Sequence, residues 1–445
     1  MYAGLRLACL ALLSGLASTL IVAMANNASP VAWQPSIEIA TGRGERGPWQ
    51  QNESRYDFVD DASVAMDERG NIAVVWVDQA RKAVLFQRYT AEGRKQLDQP
   101  ADVSRDPQTL SWLPRVALAP DASRRVFVLW QEIIFSGGSH GGDILFASSD
   151  DGGKSFAQPI NLTRSVAGEG KARINREVWH NGSLDLVAGP QGTLYVAWTE
   201  YEGNLWFSRS NDGGKSFAQP RRVAGGGNAN PARAPALALG PDRAVYLAWT
   251  VGENDAADIH VARSTDGGAS FGQPLIVAPS KNYSDAPKLA VDSAGTVHLV
   301  YAESSGGPFE RFQIRYTRST DGARSFEPSR DISSAMAQPF RSASFPAVAA
   351  DGKGRLYILW ELFADARQRP RGLGVAVSPD GGRTFAPPGV VPGSIDPGGG
   401  FNGSSQGMLM KKLAVNQAGA VAVVNSSLKQ DAYSRVWLIR GEMPR

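Results

Sequence analysis

The sequence predicts an all-β protein built from small sheets that repeat along the chain. Among its 445 residues are 48 glycines and 27 prolines, too many turn-forming residues for a bundle of long helices. Short apolar segments with a period of two recur along most of the chain, which is typical of strands with two different faces. With 42% hydrophobic and 20% charged residues, the chain is neither a disordered polyampholyte nor a multi-span membrane protein. The 46 cationic residues nearly balance the 43 anionic ones, and the lysines and arginines form no continuous basic run. We therefore expect no nucleic-acid partner.

The first element is an export signal, which we place at residues 1–25. Arg6 precedes an apolar run from Leu7 to Ala25 that ends in Ala23-Met24-Ala25, a small-x-small cleavage pattern. The alternative is an uncleaved membrane anchor, since the run nearly reaches the length that spans a bilayer. The only cysteine, Cys9, lies inside this segment, so the mature chain has no disulfide and no Cys-ligated metal. We therefore expect residues 26–445 to form one exported domain, periplasmic or secreted, with no later membrane span.

Seven copies of a hairpin unit follow. Each copy is a short apolar strand, a turn with Gly or Asp, and an alternating strand that usually ends in an aromatic residue. The seven copies are Val64–Trp76, Val116–Trp130, Leu184–Trp198, Leu237–Trp249, Leu289–Tyr301, Val348–Trp360 and Leu413–Asn425. We interpret the tryptophans at the ends of these strands as packing residues between sheets.

A second element follows six of the seven units, and it completes each repeat to four strands. It is a strand, a tight turn of the form S-x-D-x-G-x-x-F, and another strand, as in SNDGGKSF at Ser210–Phe217. The last unit ends after its third strand, whereas the first strand of the mature chain, Ile37–Ala40, resembles a fourth strand. We therefore predict a single seven-bladed β-propeller of four-stranded blades, with the ring closed by the N-terminal strand against 435–440.

The turn motif resembles the Asp-box, or BNR repeat, of bacterial and animal sialidases. The resemblance implies a propeller, with six blades as the alternative because six are usual among sialidases. It also implies that the motif carboxylates hold turns at the periphery, away from the substrate. These structural carboxylates are Asp151, Asp212, Asp266, Asp321 and Asp380.

Candidate site residues come from a position that does not repeat chemically. A ligand of a propeller binds at the mouth formed by loops that lead into the innermost strands, and a variable position there marks a site added to a constant frame. The residue about four before each unit is charged, aromatic or polar in six blades, and neighbouring loops add arginines and tyrosines. From this set we select as ligand-binding residues Arg233, Arg173, Arg176, Arg341, Trp112 and His180, and as catalytic candidates Asp60, Tyr56, Asp285 and Tyr283.

The sialidase resemblance assigns roles to these residues. Sialidases hold the sialate carboxylate with three arginines, attack with a tyrosine that a glutamate activates, and use an aspartate as acid and base. The resemblance implies a triad of Arg233, Arg173 or Arg176, and Arg341, with Tyr56 or Tyr283 as nucleophile and Asp60 or Asp285 as acid/base. The first-blade arginine of the family is replaced here by Asp60, and the nearest match is Arg233-Ala234-Pro235.

Three functions remain open from the sequence. The first is a non-catalytic module that binds a glycan or an envelope or extracellular protein, which the missing first-blade arginine favours. The second is an exo-α-sialidase-type hydrolase that releases terminal acidic sugars, and the third is another carbohydrate-active hydrolase or a lyase that pairs His180 with a tyrosine. The four histidines are dispersed along the sequence, so we expect no transition-metal site. The sequence has no glycine-rich nucleotide-binding loop, so we expect no cofactor. We expect a monomer.

Overall fold

The computed structural model describes most of the chain from residue 30 to residue 444. The residues that it does not describe within this range are 49, 51, 106–107, 122, 134–142, 164–172, 175–178, 181–182, 201–202, 227–228, 253–255, 278, 280, 309, 337 and 403–410. It also leaves undescribed the side chains of 133, 173, 174, 179 and 180. The predicted signal peptide lies outside the described residues.

The described chain forms seven antiparallel sheets, which we call blades 1 to 7, with strands a to d from the centre outward. Blade 1 is Val59–Met66, Ile72–Asp78, Ala83–Tyr89 and Ala101–Asp102, and blade 2 is Leu110–Leu118, Val126–Ile133, Asp143–Ser149 and Ile160–Asn161. Blade 3 is Leu184–Ala188, Leu194–Thr199, Leu205–Ser210 and Arg221–Ala224, and blade 4 is Ala232–Leu239, Val245–Val251, Asp258–Ser264 and Leu275–Val277. Blade 5 is Tyr283–Val291, Val297–Ser304, Phe312–Ser319 and Arg330–Asp331, and blade 6 is Ser342–Ala350, Leu356–Phe363, Leu373–Ser378 and Gly389–Val390. Blade 7 is Leu413–Val415, Ala420–Lys429, Tyr433–Glu442 and Ile37–Gly42.

A few short elements complete the fold. Ala32–Trp33 also pairs with strand c of blade 7, and Phe401–Asn402 pairs with its strand b. Two-residue strands pair Glu45–Arg46 with Tyr56–Asp57 and Arg173–Ile174 with Trp179–His180. A 3-10 turn covers Pro190–Gly192. No helix in the described part of the chain has the length and apolar character needed to cross a membrane.

The predicted seven-bladed propeller is confirmed, and the six-bladed alternative is wrong. Each of the seven repeated units is the a–b hairpin of one blade, because the apolar strand faces the crowded centre and the alternating strand lies behind it. The tryptophans of strand b, such as Trp130 and Trp249, are 0% and 1% exposed and belong to clusters between blades. They pack the ring rather than present a surface.

The ring closes as predicted. The first long strand of the described chain runs antiparallel to strand c of blade 7, with Ile37 opposite Leu438 and Ala40 opposite Val436. The Oγ of buried Ser434 then accepts a 2.9 Å hydrogen bond from the backbone N–H of Val59, which joins blade 7 to blade 1. Pairing the two ends of the chain covers a sheet edge that would otherwise be open.

Candidate ligand-binding mouth

Five blades begin strand a with the same backbone irregularity. The residues Asp61, Leu113, Ala234, Ala286 and Phe345 all have φ between 52° and 55°, and the pairing with strand b shifts at this point. Such a conformation is rare for residues other than glycine and costs on the order of 1 kcal/mol or more. A bulge redirects the side chain beside it. The preceding residues, which lie at the mouth of the ring, are Asp60, Trp112, Arg233, Asp285 and Ser344, and all five stand at the position selected from the sequence.

Three of the predicted residues meet between blades 4 and 5. Nη2 of Arg233 donates a 2.7 Å hydrogen bond to the hydroxyl of Tyr283, and the guanidinium lies over the tyrosine ring at 5.2 Å from its centroid. Nε of the same arginine is 3.3 Å from Oδ1 of Asp285. That carboxylate oxygen also accepts a 3.0 Å hydrogen bond from Thr250. We call Arg233, Tyr283, Asp285 and Thr250 the blade 4–5 cluster.

The guanidinium of Arg233 has unused hydrogen-bonding capacity. Its side chain is 8% exposed, and Nε and Nη1 are buried without a hydrogen-bond partner, although Nε lies in ion-pair contact with Asp285. A buried donor that has lost its water and gained no acceptor costs about 1–3 kcal/mol, and more when it is charged. The cluster therefore holds a cation that an oxygen-rich anion would satisfy.

A second group of charges lies where blades 6, 7 and 1 meet. Lys412 forms an ion pair with Oε1 of Glu361, both side chains being buried, and Oε2 of this glutamate has no hydrogen-bond partner. Burial raises the pKa of Glu361, and the neighbouring Lys412 acts in the opposite direction. Asp60 accepts a 2.7 Å hydrogen bond from Ser426 and interacts electrostatically with this pair. Lys412 was not selected from the sequence, because it directly precedes the seventh unit, whereas the repeat position considered in the other blades lies four residues before each unit.

The remaining aromatic candidates lie within the packed wall of the mouth. Tyr56, Phe58 and Trp112 form one aromatic group with ring centroids 5.4–6.5 Å apart. Tyr56 is 6% exposed and Trp112 is 3% exposed. Their positions are those of packing residues of blades 1 and 2, and their roles as nucleophile and ligand-binding residue stay predictions.

The predicted three-arginine group is only partly described. Arg341 is exposed and comes directly before strand a of blade 6, where its backbone N–H bonds to the carbonyl of Phe363 at 2.9 Å. Arg173 and His180 are paired backbone positions whose side chains are not described, and Arg176 lies outside the described residues. Only Arg233 of the four arginines therefore has a defined set of contacts.

The S-x-D turns lie between strands c and d, at the outer side of the blades. In blade 3, Oδ1 of Asp212 accepts hydrogen bonds from Oγ of Ser210 at 2.7 Å and from the N–H of Ser216 at 3.0 Å, while Oδ2 accepts from the Ser216 hydroxyl at 2.5 Å. The other four motif carboxylates accept the same set of bonds. The hydroxyl and N–H of Ser216 lower the pKa of Asp212 to about 2. A carboxylate fully used by its own turn serves the fold rather than a ligand.

Charged residues also line the central channel below the bulges. Arg115, Asp185 and Lys288 each pair with the residue that precedes the aromatic of strand b, so they occupy one level of the ring. Arg115 is 1% exposed and donates to the carbonyls of Leu113 and Pro114. Lys288 and Asp185 line a narrow cavity of about 80 Å³ together with Lys411. Desolvation lowers the pKa of Lys288 to about 8, with Asp185 opposing the shift and the neighbouring cations adding to it.

Within the described residues, no group of three or more His, Cys, Asp or Glu side chains is arranged to hold a metal ion.

The comparisons with known proteins identify the fold. No family model matches the chain, and no curated protein matches it. An ulvan lyase of polysaccharide lyase family PL25, solved bound to -[GlcA(1-4)Rha3S]-, is 12% identical with a TM-score of 0.55 over 91% of this chain and 96% of its own. The polysaccharide lyase Uly1 is 10% identical with a TM-score of 0.52 over 93% and 99% of the two chains. Sialidases are also among the similar structures, for example the leech intramolecular trans-sialidase at 11% identity and a TM-score of 0.48, covering 75% of this chain and 67% of its own. At these identities the likeness extends to the propeller fold alone.

Proposed function

We propose that this protein is an exported module that binds an acidic glycan across the mouth of the propeller, with Arg233 as the group that binds the ligand's carboxylate. The observation that carries the proposal is the blade 4–5 cluster, where a buried guanidinium is held by Tyr283 and Asp285 but keeps two nitrogens without an acceptor. A planar guanidinium matches a carboxylate in shape and charge better than any other side chain does. The same proposal includes that the protein is related to the Asp-box propellers and that it is located in the periplasm or outside the cell.

The cluster supports an acidic rather than a neutral sugar. The stacked tyrosine gives Arg233 a fixed orientation, so that less side-chain entropy is lost on binding. Asp285 balances the cation when the mouth is empty, and its contact with Nε is at 3.3 Å rather than a short bidentate pair. A ligand carboxylate can therefore bind Nη1, which has no hydrogen-bond partner, while Asp285 keeps its contact with Nε.

Binding is tested with acidic oligosaccharides and their carboxyl-reduced counterparts. The similar ulvan lyase was solved with a glucuronate-containing saccharide, which provides the first ligand to titrate, and a sialoside is the second. We expect the carboxyl-reduced forms and the Arg233→Ala variant each to bind at least about tenfold more weakly. Arg243→Ala, an exposed arginine in the a–b turn of blade 4 at the far end of the sheet, is the matched control and should bind like the wild type. Equal affinity for the acidic and reduced sugars, or no binding to any of them by folded wild type, would overturn the proposal.

A second candidate function, β-elimination from a uronate-containing polysaccharide, is favoured by one further contact. The phenolic oxygen of Tyr283 is 2.7 Å from Nη2 of Arg233, so a side chain that can act as a base stands beside the guanidinium proposed to bind the ligand's carboxylate. In that reaction the base removes the proton beside the carboxylate, the electron pair forms a C=C bond, and the C–O bond to the leaving sugar breaks. Ultraviolet absorbance of the unsaturated product, lost in Tyr283→Phe while binding is kept, is the expected result. Binding without absorbance from any acidic polysaccharide would leave the module non-catalytic, and release from a fluorogenic sialoside would instead favour hydrolysis.

A further inference from the structure

A cleft on the opposite face of the ring is unrelated to the mouth. It lies between the a–b turns of blades 1 and 2, where strand a ends rather than begins, and its volume is about 520 Å³. Its lining includes Asp67 and Arg88 of blade 1 and Asp121, Arg124 and Arg125 of blade 2. This volume is within the range of small-molecule sites.

The cleft coincides with a break in the contacts between blades. In blades 3 and 5 an arginine of strand c reaches the next blade, where Arg209 donates to the carbonyl of Gly267 at 2.6 Å and Arg318 to that of Gly381 at 2.9 Å. Arg88 occupies the same position in blade 1, but it bonds Asp67 of its own blade at 2.7 Å. The turn of blade 2 is therefore not held by this arginine.

A small residue in strand b does not by itself set the position of the strand c arginine. In blade 7, Arg440 is paired with Ala422 and still donates to the carbonyl of Ala91 in blade 1 at 2.6 Å. In blade 4, Arg263 is paired with Tyr246 but bonds Asp242 of its own blade at 2.6 Å.

The residue paired with the strand c arginine is Tyr195 in blade 3 and His298 in blade 5, but it is Ala73 in blade 1. Alanine leaves room over the sheet, and Arg88 is 3% exposed whereas Arg209 is half-buried. In blade 1, alanine at this position occurs together with a buried cation and a cleft.

The buried guanidinium is only partly matched. Nη2 of Arg88 bonds Asp67, but Nε and Nη1 are buried without a hydrogen-bond partner. Since an unmatched charged donor is costly to bury, these two nitrogens point to an acceptor from outside the chain.

The cleft has an excess of free positive charge. Asp67 is used by Arg88 and by Asn71, and Asp121 by the N–H of Ser123 and by Arg125. The guanidinium groups of two further lining arginines form no hydrogen bond or ion pair with the described residues; these are Arg69 and Arg124. The lining holds four arginines against three acids, of which the third, Glu68, accepts a 3.1 Å hydrogen bond from the backbone N–H of Gln417.

We propose that this cleft is a second binding site, independent of the mouth, for a small anionic ligand that carries a sulfate, a phosphate or a carboxylate group. Arg88 supplies the buried donors, and Arg124 with Arg69 supplies charge at the rim. Oxyanions of this kind accept several N–H bonds at once, which is what a cluster of guanidinium forks provides.

The test is calorimetric titration of the full-length protein with inorganic sulfate, inorganic phosphate and glucuronate, each at constant ionic strength kept with chloride. We expect at least one of the three to bind, Arg124→Ala to weaken it about tenfold, and Arg88→Gln to abolish it. Arg243→Ala, in the equivalent turn of blade 4, is the matched control, since Arg243 and Arg124 have nearly the same backbone conformation with φ of 62° and 60°. This variant should bind as the wild type does.

The ranking of the three anions identifies the ligand group. Because Arg124 is exposed, its variant keeps the test valid even where Arg88→Gln fails to fold. Absence of binding by all three anions, or equal weakening in Arg124→Ala and Arg243→Ala, would overturn the proposal. Loss of anion binding in Arg124→Ala with glycan binding at the mouth kept separates this site from the mouth.

Discussion

Lys288 in the central channel predicts an unusual dependence of stability on pH. Its side chain is only partly accessible, and it lies beside Asp185, Arg115 and Lys411. Because its pKa falls to about 8 in the folded protein from 10.5, the folded state binds this proton less tightly than the unfolded state does. The protonated lysine therefore destabilises the fold below about pH 8, and this cost disappears as the pH rises toward 10.5.

The magnitude follows from the shift. A difference of about 2.5 pKa units corresponds to no more than about 3 kcal/mol at pH 7, and to about 1 kcal/mol at pH 10. Lys288→Met removes the titrating group at nearly the same length. We expect the free energy of unfolding that the variant gains over the wild type to be about 2 kcal/mol larger at pH 7 than at pH 10.

Urea unfolding of both proteins at pH 7 and pH 10, followed by tryptophan fluorescence, measures the effect. At each pH, the free energy of unfolding of the wild type is subtracted from that of the variant. The contributions of the other titrating groups cancel in this difference, which is then compared between the two pH values. Lys281→Met is the control, since Lys281 is exposed and its removal should change stability equally at both pH values. A Lys288→Met difference that does not change with pH would refute the proposed desolvation of this amine.

Three further predictions concern the frame. Ser434→Ala leaves the N–H of Val59 without its acceptor at the closure of the ring, so we expect a loss of about 1–2 kcal/mol in urea unfolding, and an unchanged midpoint would contradict this. Lys412→Met leaves the buried carboxylate of Glu361 without its cation, so we expect a loss of about 3 kcal/mol in the free energy of unfolding at pH 7. The loss should be smaller below about pH 4, where this carboxyl is protonated in the folded and the unfolded state. An equal loss at both pH values would count against the ion pair. Asp212→Asn should cost less than about 1 kcal/mol at neutral pH, because the turn is exposed. Since the folded pKa of Asp212 is lowered to about 2, this difference should vanish as the pH falls from 4 to 2, and thermal unfolding across that range checks it.

Much of the frame could be predicted because its signals are local and repeated. The alternation in each unit predicted the a–b hairpins, and the resemblance of the first strand to a fourth strand predicted the pairing of Ile37–Ala40 with blade 7. The identical hydrogen bonds of the S-x-D turns lie within five residues of chain, so sequence alone contains them.

The site was predictable only as a set of positions. Arg233 and Asp285 both stood out at a repeat position that does not repeat chemically, and the bulge beside each explains why that position faces the mouth. Their contact with each other, and with Tyr283, depends on the angle between two neighbouring blades. The Lys412–Glu361 pair was missed because its two residues lie in different blades and neither belongs to a motif.

The sequence by itself thus determined the number of blades, their order and the closure of the ring, since these depend on periodicity and on turns that each segment forms alone. The tertiary structure decided which charges are buried and which meet. The difference between Tyr195 in blade 3 and Ala73 in blade 1 is visible in an alignment of the repeats, but a buried Arg88 beside an open cleft arises only when two blades pack. Burial and proximity are properties of neighbouring sheets, and no single repeat encodes them.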